Sequence, residues 1–197
     1  MSKTPTPKAQ INSDEFDPIT AEVIRSALDN ITTEMSLVLL RTSGSPVLTE
    51  SKDFSTVVFD AELNQIGSSG YILLHMSSSR LGVEAVAKAR APHDVQPGDA
   101  FICNDPHTSG ALHQGDVGIV MPAFHGDKLV GWTFANAHLM DIGGSAISGF
   151  APEARDTAMP FSTPSGSALC AITCACRCLL SATYAAWLPP VMSAVNA

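Results

Sequence analysis

The segments VGIVMPAF (117–124) and LVGWTFA (129–135) decide the fold of this chain, because only HGDK (125–128) separates these two β-rich runs. Two such runs around a short turn that contains glycine are typical of a β hairpin. With the turn centred between Gly126 and Asp127, Asp116 falls opposite Ala137, next to His138. The hairpin therefore brings the residues before its first strand close to those after its second.

A long helix is predicted well before this hairpin. Asp17-Pro18 supplies an N-cap acceptor followed by proline at the first helical position. Apolar residues from Ile19 to Leu39 recur at helical spacing, and the segment 43–46 (SGSP) ends the pattern. We therefore expect a helix over about residues 18–42.

Shorter elements complete the predicted fold. Residues 54–59, 65–67 and 100–103 favour strands, and residues 78–91 favour a second helix. Strands joined by tight turns and accompanied by two helices indicate an α+β fold with mainly antiparallel β hairpins and a long N-terminal helix. We expect this α+β domain to be incomplete.

Composition narrows the class of protein. The chain has 197 residues, 45% of them hydrophobic and 15% charged, which is typical of a folded domain. Its net charge of -8 disfavours binding to nucleic acid. The polar start of the chain lacks the apolar core of a secretory signal, and Arg177 interrupts the apolar stretch 168–188. These features favour a cytoplasmic protein that is not embedded in a membrane.

The two ends differ from the rest of the sequence. Residues 1–16 are interpreted as a flexible leader and residues 17–156 as the folded domain. Residues 157–197 contain a single charged residue, Arg177, and four cysteines whose spacing matches no standard zinc site. We expect this tail to be poorly ordered.

Chemistry-bearing side chains gather at the open end of the hairpin. His113, Asp116 and His138 converge there if the strands pair as described. Two imidazoles and a carboxylate form a mixed set of nitrogen and oxygen ligands that suits zinc, manganese or iron. Asp53, at the start of a predicted strand and with Glu50 behind it, is the candidate for a further metal ligand.

Two carboxylates near these residues are candidate catalytic groups, namely Asp105 and Asp141. Asp105 precedes Pro106, a dipeptide that is first of all a turn signal. A single histidine beside a loop is more often a surface or capping residue than a ligand. We interpret His75 and His93 as structural or exposed residues and His125 as a turn residue. The sequence has no glycine-rich phosphate-binding loop followed by lysine, and no Gly-x-Ser-x-Gly motif.

Several separated motifs follow one another at regular places over about residues 15–156: Asp17-Pro18-Ile19-Thr20, Glu22-Val23-Ile24-Arg25, Glu50, Asp53-Phe54-Ser55, Asn104-Asp105-Pro106, Gly110, His113-x-x-Asp116, Pro122, Gly131, Ala137-His138 and Asp141-Ile142-Gly143-Gly144. In their order and spacing, these motifs resemble the hydantoinase B family.

The resemblance implies a subunit that works with a partner. Members pair with a hydantoinase A-type subunit, which binds ATP. They open cyclic amides such as hydantoins, 5-oxoproline and caprolactam, or they carboxylate ketones. In the ring-opening enzymes, ATP would activate the carbonyl and a metal in the B-type subunit would activate water. The residues that bind a divalent ion in the family, zinc or manganese, map onto His113, Asp116 and His138, with an acidic residue near Asp53.

The chain also departs from the family pattern. Leu139 stands where many relatives have a second histidine, and family subunits continue for several hundred residues with a charged, structured sequence. We therefore expect an N-terminal fragment, truncated or frameshifted, that is inactive alone. We interpret it as part of the metal-binding subunit of an ATP-dependent cyclic-amide hydrolase. The alternatives are a subunit of an acetone/acetophenone-type carboxylase, or a non-catalytic remnant that only binds a partner subunit.

Overall fold

The structure is a computed structural model, and it describes residues 17–90, 95–140 and 142. The predicted leader, the predicted tail and Asp141 lie outside these residues. The elements in chain order are α1 (Pro18–Thr42), α2 (Pro46–Thr49), β1 (Phe54–Asp60), β2 (Gln65–Gly70), α3 (Leu73–Ala89), β3 (Phe101–Cys103), β4 (Asp116–His125) and β5 (Lys128–His138).

The strands form one antiparallel sheet with the order β2-β1-β5-β4-β3. Successive residues of a strand point to opposite faces. Accordingly, Val58 of β1 packs in a core with α1, whereas Val57 packs in a second core with α3. The sheet thus lies between the two long helices, which confirms the α+β class with antiparallel hairpins.

Helix α1 has the predicted bounds. The Asp17 side chain accepts hydrogen bonds from the backbone N–H groups of Ile19 and Thr20 and so caps the helix. One stripe of the helix is buried against the sheet, and it includes Leu28, Ile31, Met35 and Leu39. Spacings of three and four residues place these side chains on one face.

Helix α3 begins at Leu73 rather than at residue 78, so the predicted start was wrong. Ile72, at the N-cap, makes no side-chain hydrogen bond to the helix, and the sequence therefore lacks the usual start signal there. The short helix α2 was not predicted either; it begins at Pro46, the last residue of the segment that ends the α1 pattern.

The β4–β5 hairpin is confirmed, but the predicted register was wrong by one residue. Asp116 pairs with His138, and Val117 pairs with Ala137. The cause is a bulge near the turn, where the partners shift between Ala123 and Phe124 and Val130 becomes the extra residue. A bulge adds one residue to one strand only, and counting back from the turn cannot detect it.

None of the helices in the described residues combines the length and the apolar composition that a membrane span needs.

Candidate metal centre

Three side chains meet at the open end of the β4–β5 hairpin. Asp116 is the first residue of β4, His138 is the last residue of β5, and His113 lies in the loop before β4. Asp116 Oδ1 is 3.3 Å from His138 Nδ1 and 3.4 Å from His113 Nε2. One ligand atom from each residue lies within 4.8 Å of the other two. The predicted convergence of these residues is therefore present.

The loop before β4 holds His113 in place. The Asp116 N–H donates to the His113 carbonyl at 3.0 Å, and the Leu139 N–H donates to the Gly115 carbonyl at 2.8 Å. Gly115 also donates its N–H to His113 Nδ1 at 3.1 Å. A Cβ atom at position 115 would lie 2.8 Å from the His113 ring, so a side chain here would push that ring from its place.

The Asp116 carboxylate is buried and negatively charged. Burial by itself raises the pKa of Asp116, but the hydrogen bond from His75 and the nearby His75 and His113 imidazoles lower it by more. The net result is a pKa below the ordinary value of an aspartate, so the carboxylate is ionised at neutral pH. An ionised carboxylate with two adjacent imidazoles attracts a cation.

His75 is a residue of this site that the sequence analysis missed. It lies on α3, its side chain is 3% exposed, and its Nε2 is 3.3 Å from Asp116 Oδ2. The interpretation of His75 as a structural or exposed residue did not include this contact. One signal could have found it: His75 continues the helical stripe of Ser79, Gly82, Val83 and Val86, all buried against the sheet.

Asp53 lies next to the three residues but outside the set of ligand atoms that are mutually close within the described residues. Its carbonyl accepts the His138 N–H at 3.0 Å, since Asp53 immediately precedes β1, which pairs with β5. Its Oδ1 is 4.0 Å from His75 Nδ1. Glu50 is exposed at the end of α2. The role of Asp53 as a metal ligand stays a prediction.

Asp105 is exposed and organises a turn. Its carboxylate accepts hydrogen bonds from the Thr108 hydroxyl at 2.7 Å and from the His107 N–H at 2.9 Å. The bond from Thr108, followed by the one from His107, lowers the pKa of Asp105. The turn signal in the sequence is thus confirmed, and the catalytic role of Asp105 stays a prediction. The same holds for Asp141, which lies outside the described residues.

Two of the three distances in this ligand set match those around one divalent ion, and the set as a whole lies within 4.8 Å. Zinc–nitrogen and zinc–oxygen bonds of about 2.0–2.2 Å place the ligand atoms of one ion roughly 3–3.5 Å apart. The distances of 3.3 and 3.4 Å from Asp116 Oδ1 to the two imidazole nitrogens fall within this range. The donor set of two nitrogens and one oxygen suits zinc, manganese or iron.

Comparison with protein families gives one clear match. The sequence model described as Hydantoinase B/oxoprolinase matches residues 17–159 of this chain. This range includes the three residues of the candidate metal centre, as well as His75 and Asp53.

Two curated relatives carry names that describe one component of a larger enzyme. The beta subunit of the caprolactamase of Pseudomonas jessenii is 35% identical over 71% of this chain and 24% of its own length. A protein of Pseudomonas sp. (strain NS671), named as the B component of a D-/L-hydantoinase, is 32% identical over 66% of this chain and 22% of its own length. The chain thus spans about a quarter of the length of these relatives.

Solved structures share the fold. The crystal structure of the ATP-dependent caprolactamase from Pseudomonas jessenii superposes with a TM-score of 0.73 at 24% identity, over 92% of this chain and 37% of the other. A nucleotide-free acetone carboxylase structure gives a TM-score of 0.67 at 17% identity, over 92% of this chain and 28% of the other. At these identities, the likeness establishes the fold.

Proposed function

The chain belongs to the hydantoinase B/oxoprolinase family, and on that premise we propose that it carries the metal centre of an ATP-dependent enzyme that hydrolyses cyclic amides. The observation that carries the proposal is the position of Asp116 Oδ1 between His113 Nε2 and His138 Nδ1, at 3.4 and 3.3 Å. The relatives named for action on cyclic amides, at 35% and 32% identity, favour hydrolysis over ketone carboxylation.

His113, Asp116 and His138 would hold the ion, with Asp53 as a further ligand. A divalent zinc or manganese ion bound there would supply Lewis-acid chemistry, which polarises a carbonyl and makes water a better nucleophile at neutral pH. Asp116 contributes a buried negative charge, and the His113 side chain, which is 38% exposed, leaves one side of the site open to solvent. We propose Asp105 and Asp141 as the catalytic carboxylates.

ATP would be bound by a hydantoinase A-type partner subunit and not by this chain. The support is the lack of a phosphate-binding glycine loop in the sequence, together with relatives named as the beta or B component of their enzymes. The substrate would be a small cyclic amide. We expect no ATP binding when the isolated chain is titrated with ATP by calorimetry.

Metal content is the first test. The full chain is purified, exposed to zinc or manganese and desalted, and its metal is measured by elemental mass spectrometry. We expect about one ion per chain, lost in His113→Ala and Asp116→Ala. The matched control is His125→Ala, because His125 is exposed in the hairpin turn, far along the strands from the site. A folded chain without bound metal would contradict the proposal.

Activity is the second test. The chain is combined with a hydantoinase A-type subunit, ATP and a lactam or hydantoin, and ring opening is followed by mass spectrometry. We expect ring opening with the unsubstituted chain and with His125→Ala, and none with His113→Ala. Ketone carboxylation in place of ring opening, with acetone and bicarbonate as substrates, would assign the chain to the carboxylase branch instead.

A further inference from the structure

We propose that His75 is a positioning residue of the metal centre: it fixes Asp116 through Oδ2, so that Oδ1 is left for the ion. This inference rests on the proposed function, because it assigns a role in holding the ligand set. It concerns a histidine that the sequence analysis set aside.

The two oxygens of the Asp116 carboxylate face different partners. Oδ2 accepts the Leu112 N–H at 3.2 Å and lies 3.3 Å from His75 Nε2. Oδ1 faces the two candidate ligand imidazoles of His113 and His138. Both oxygens thus lie within hydrogen-bond distance of imidazole nitrogens, but the partners of Oδ2 are not candidate ligands, whereas the ion would take the place of the contacts that Oδ1 makes with His113 and His138.

The hydrogen on His75 follows from this contact. An ionised carboxylate can only accept hydrogen bonds, so the Nε2 that faces Asp116 must carry a hydrogen. The other ring nitrogen, Nδ1, is buried and has no hydrogen-bond partner among the described residues. Asp53 Oδ1, at 4.0 Å, is beyond hydrogen-bond distance. The contact with Asp116 is thus made by Nε2 alone.

The surroundings of His75 suit a fixed orientation. Its side chain is 3% exposed, whereas the His113 side chain is 38% exposed. His75 belongs to the buried stripe of α3, which packs on the same face of the sheet as Asp116. A ring enclosed in this way keeps its direction, and partners of this kind orient metal ligands in other proteins.

A matched pair of variants tests the role of Nε2. The amide nitrogen of glutamine can occupy the place of His75 Nε2, whereas the shorter asparagine reaches only the place of Nδ1. The zinc affinity of the full chain is measured by competition with a chelating dye. We expect His75→Gln to bind zinc within about threefold of the unsubstituted chain, and His75→Asn to bind about 10–100-fold more weakly.

The stability of the metal-free chains separates positioning from packing. We expect similar unfolding temperatures for the two variants, because both replace the imidazole ring by a carboxamide. Equal zinc affinities in the two variants, whether both are retained or both are lost, would overturn the inference. Failure of the unsubstituted chain to bind zinc would instead overturn the proposed function.

A measurement on the unsubstituted chain covers the case in which neither variant folds. Long-range proton–nitrogen NMR of the histidine rings reports which nitrogen carries the hydrogen. We expect His75 to carry a hydrogen on Nε2 both before and after zinc is added. A hydrogen on Nδ1 with a bare Nε2 would overturn the inference, because Asp116 would then have no donor from His75.

Discussion

At the scale of single residues, the candidate metal centre depends on a position with no side chain. Gly115 lies between His113 and Asp116 in the sequence, and an added Cβ would lie 2.8 Å from the His113 ring and 3.3 Å from His138 Cε1. A flexible imidazole can turn away from such a contact more easily than the backbone can move. A substitution at position 115 should therefore displace a ligand before it unfolds the domain.

We expect Gly115→Ala to weaken zinc binding by at least about tenfold, because displacing one ligand imidazole removes much of its contribution to affinity. The measurement is a zinc titration of the full chain against a chelating dye. Gly126→Ala is the control: Gly126 has a φ of +58° in the hairpin turn and open space around it. That variant should lose stability but keep its zinc affinity. Unchanged zinc affinity in Gly115→Ala would contradict the expectation.

At the scale of elements, a buried pair of hydroxyls joins α1 to β1. Ser36 Oγ lies 2.9 Å from Thr56 Oγ1, and the Thr56 hydroxyl is also within 3.0 Å of the Thr32 carbonyl. Both side chains are buried. An unpaired buried hydroxyl costs free energy, so this contact favours one position of the helix along the strand as well as stabilising it.

We expect Thr56→Val to lower the free energy of unfolding by about 1–3 kcal/mol, because it leaves the buried Ser36 hydroxyl without this partner. Urea unfolding gives the value. Thr33→Val is the matched control, since the Thr33 hydroxyl bonds within α1 at an exposed position. In a double-mutant cycle with Ser36→Ala, the combined loss should be smaller than the sum. Strict additivity would show that the two hydroxyls are not coupled.

Local signals explain which elements could be predicted. Asp17-Pro18 and the apolar stripe give α1 its bounds, and the β-rich runs give the hairpin. The start of α3 has no capping side chain, so its first turn, which carries His75, was not recognised. The convergence of His113, Asp116 and His138 was predictable from the hairpin, whereas the contact with His75 depends on packing between elements distant in sequence.

At the scale of the whole molecule, the sheet separates two cores. The core on the α1 side includes Met35, Leu39 and Phe54, all of them inaccessible to solvent. The core on the α3 side includes Val83 and Phe134, and its face of the sheet also carries the candidate metal centre. Damage to the α1 side should therefore affect folding more directly than metal binding.

We expect Leu39→Ala to lower the free energy of unfolding by about 2–5 kcal/mol, because it removes a fully buried side chain and leaves a cavity. Leu37→Ala on the same helix is the control, since Leu37 is 40% exposed, and it should cost less than about 1 kcal/mol. Thermal or urea unfolding compares the two. Equal losses would mean that α1 does not pack on the sheet as described.

The bulge at Val130 also determines where this hairpin can change length over evolution. Loss of Val130 would remove the bulge and leave Asp116 opposite His138, because the pairing on the turn side would then extend along the whole hairpin. Loss of one residue between 131 and 137, with the bulge kept, would instead turn His138 toward the α1 face. A deletion at the bulge should therefore preserve the pairing of Asp116 with His138, at the cost of the buried Val130 side chain, whereas a deletion between the bulge and His138 should break up the candidate metal centre.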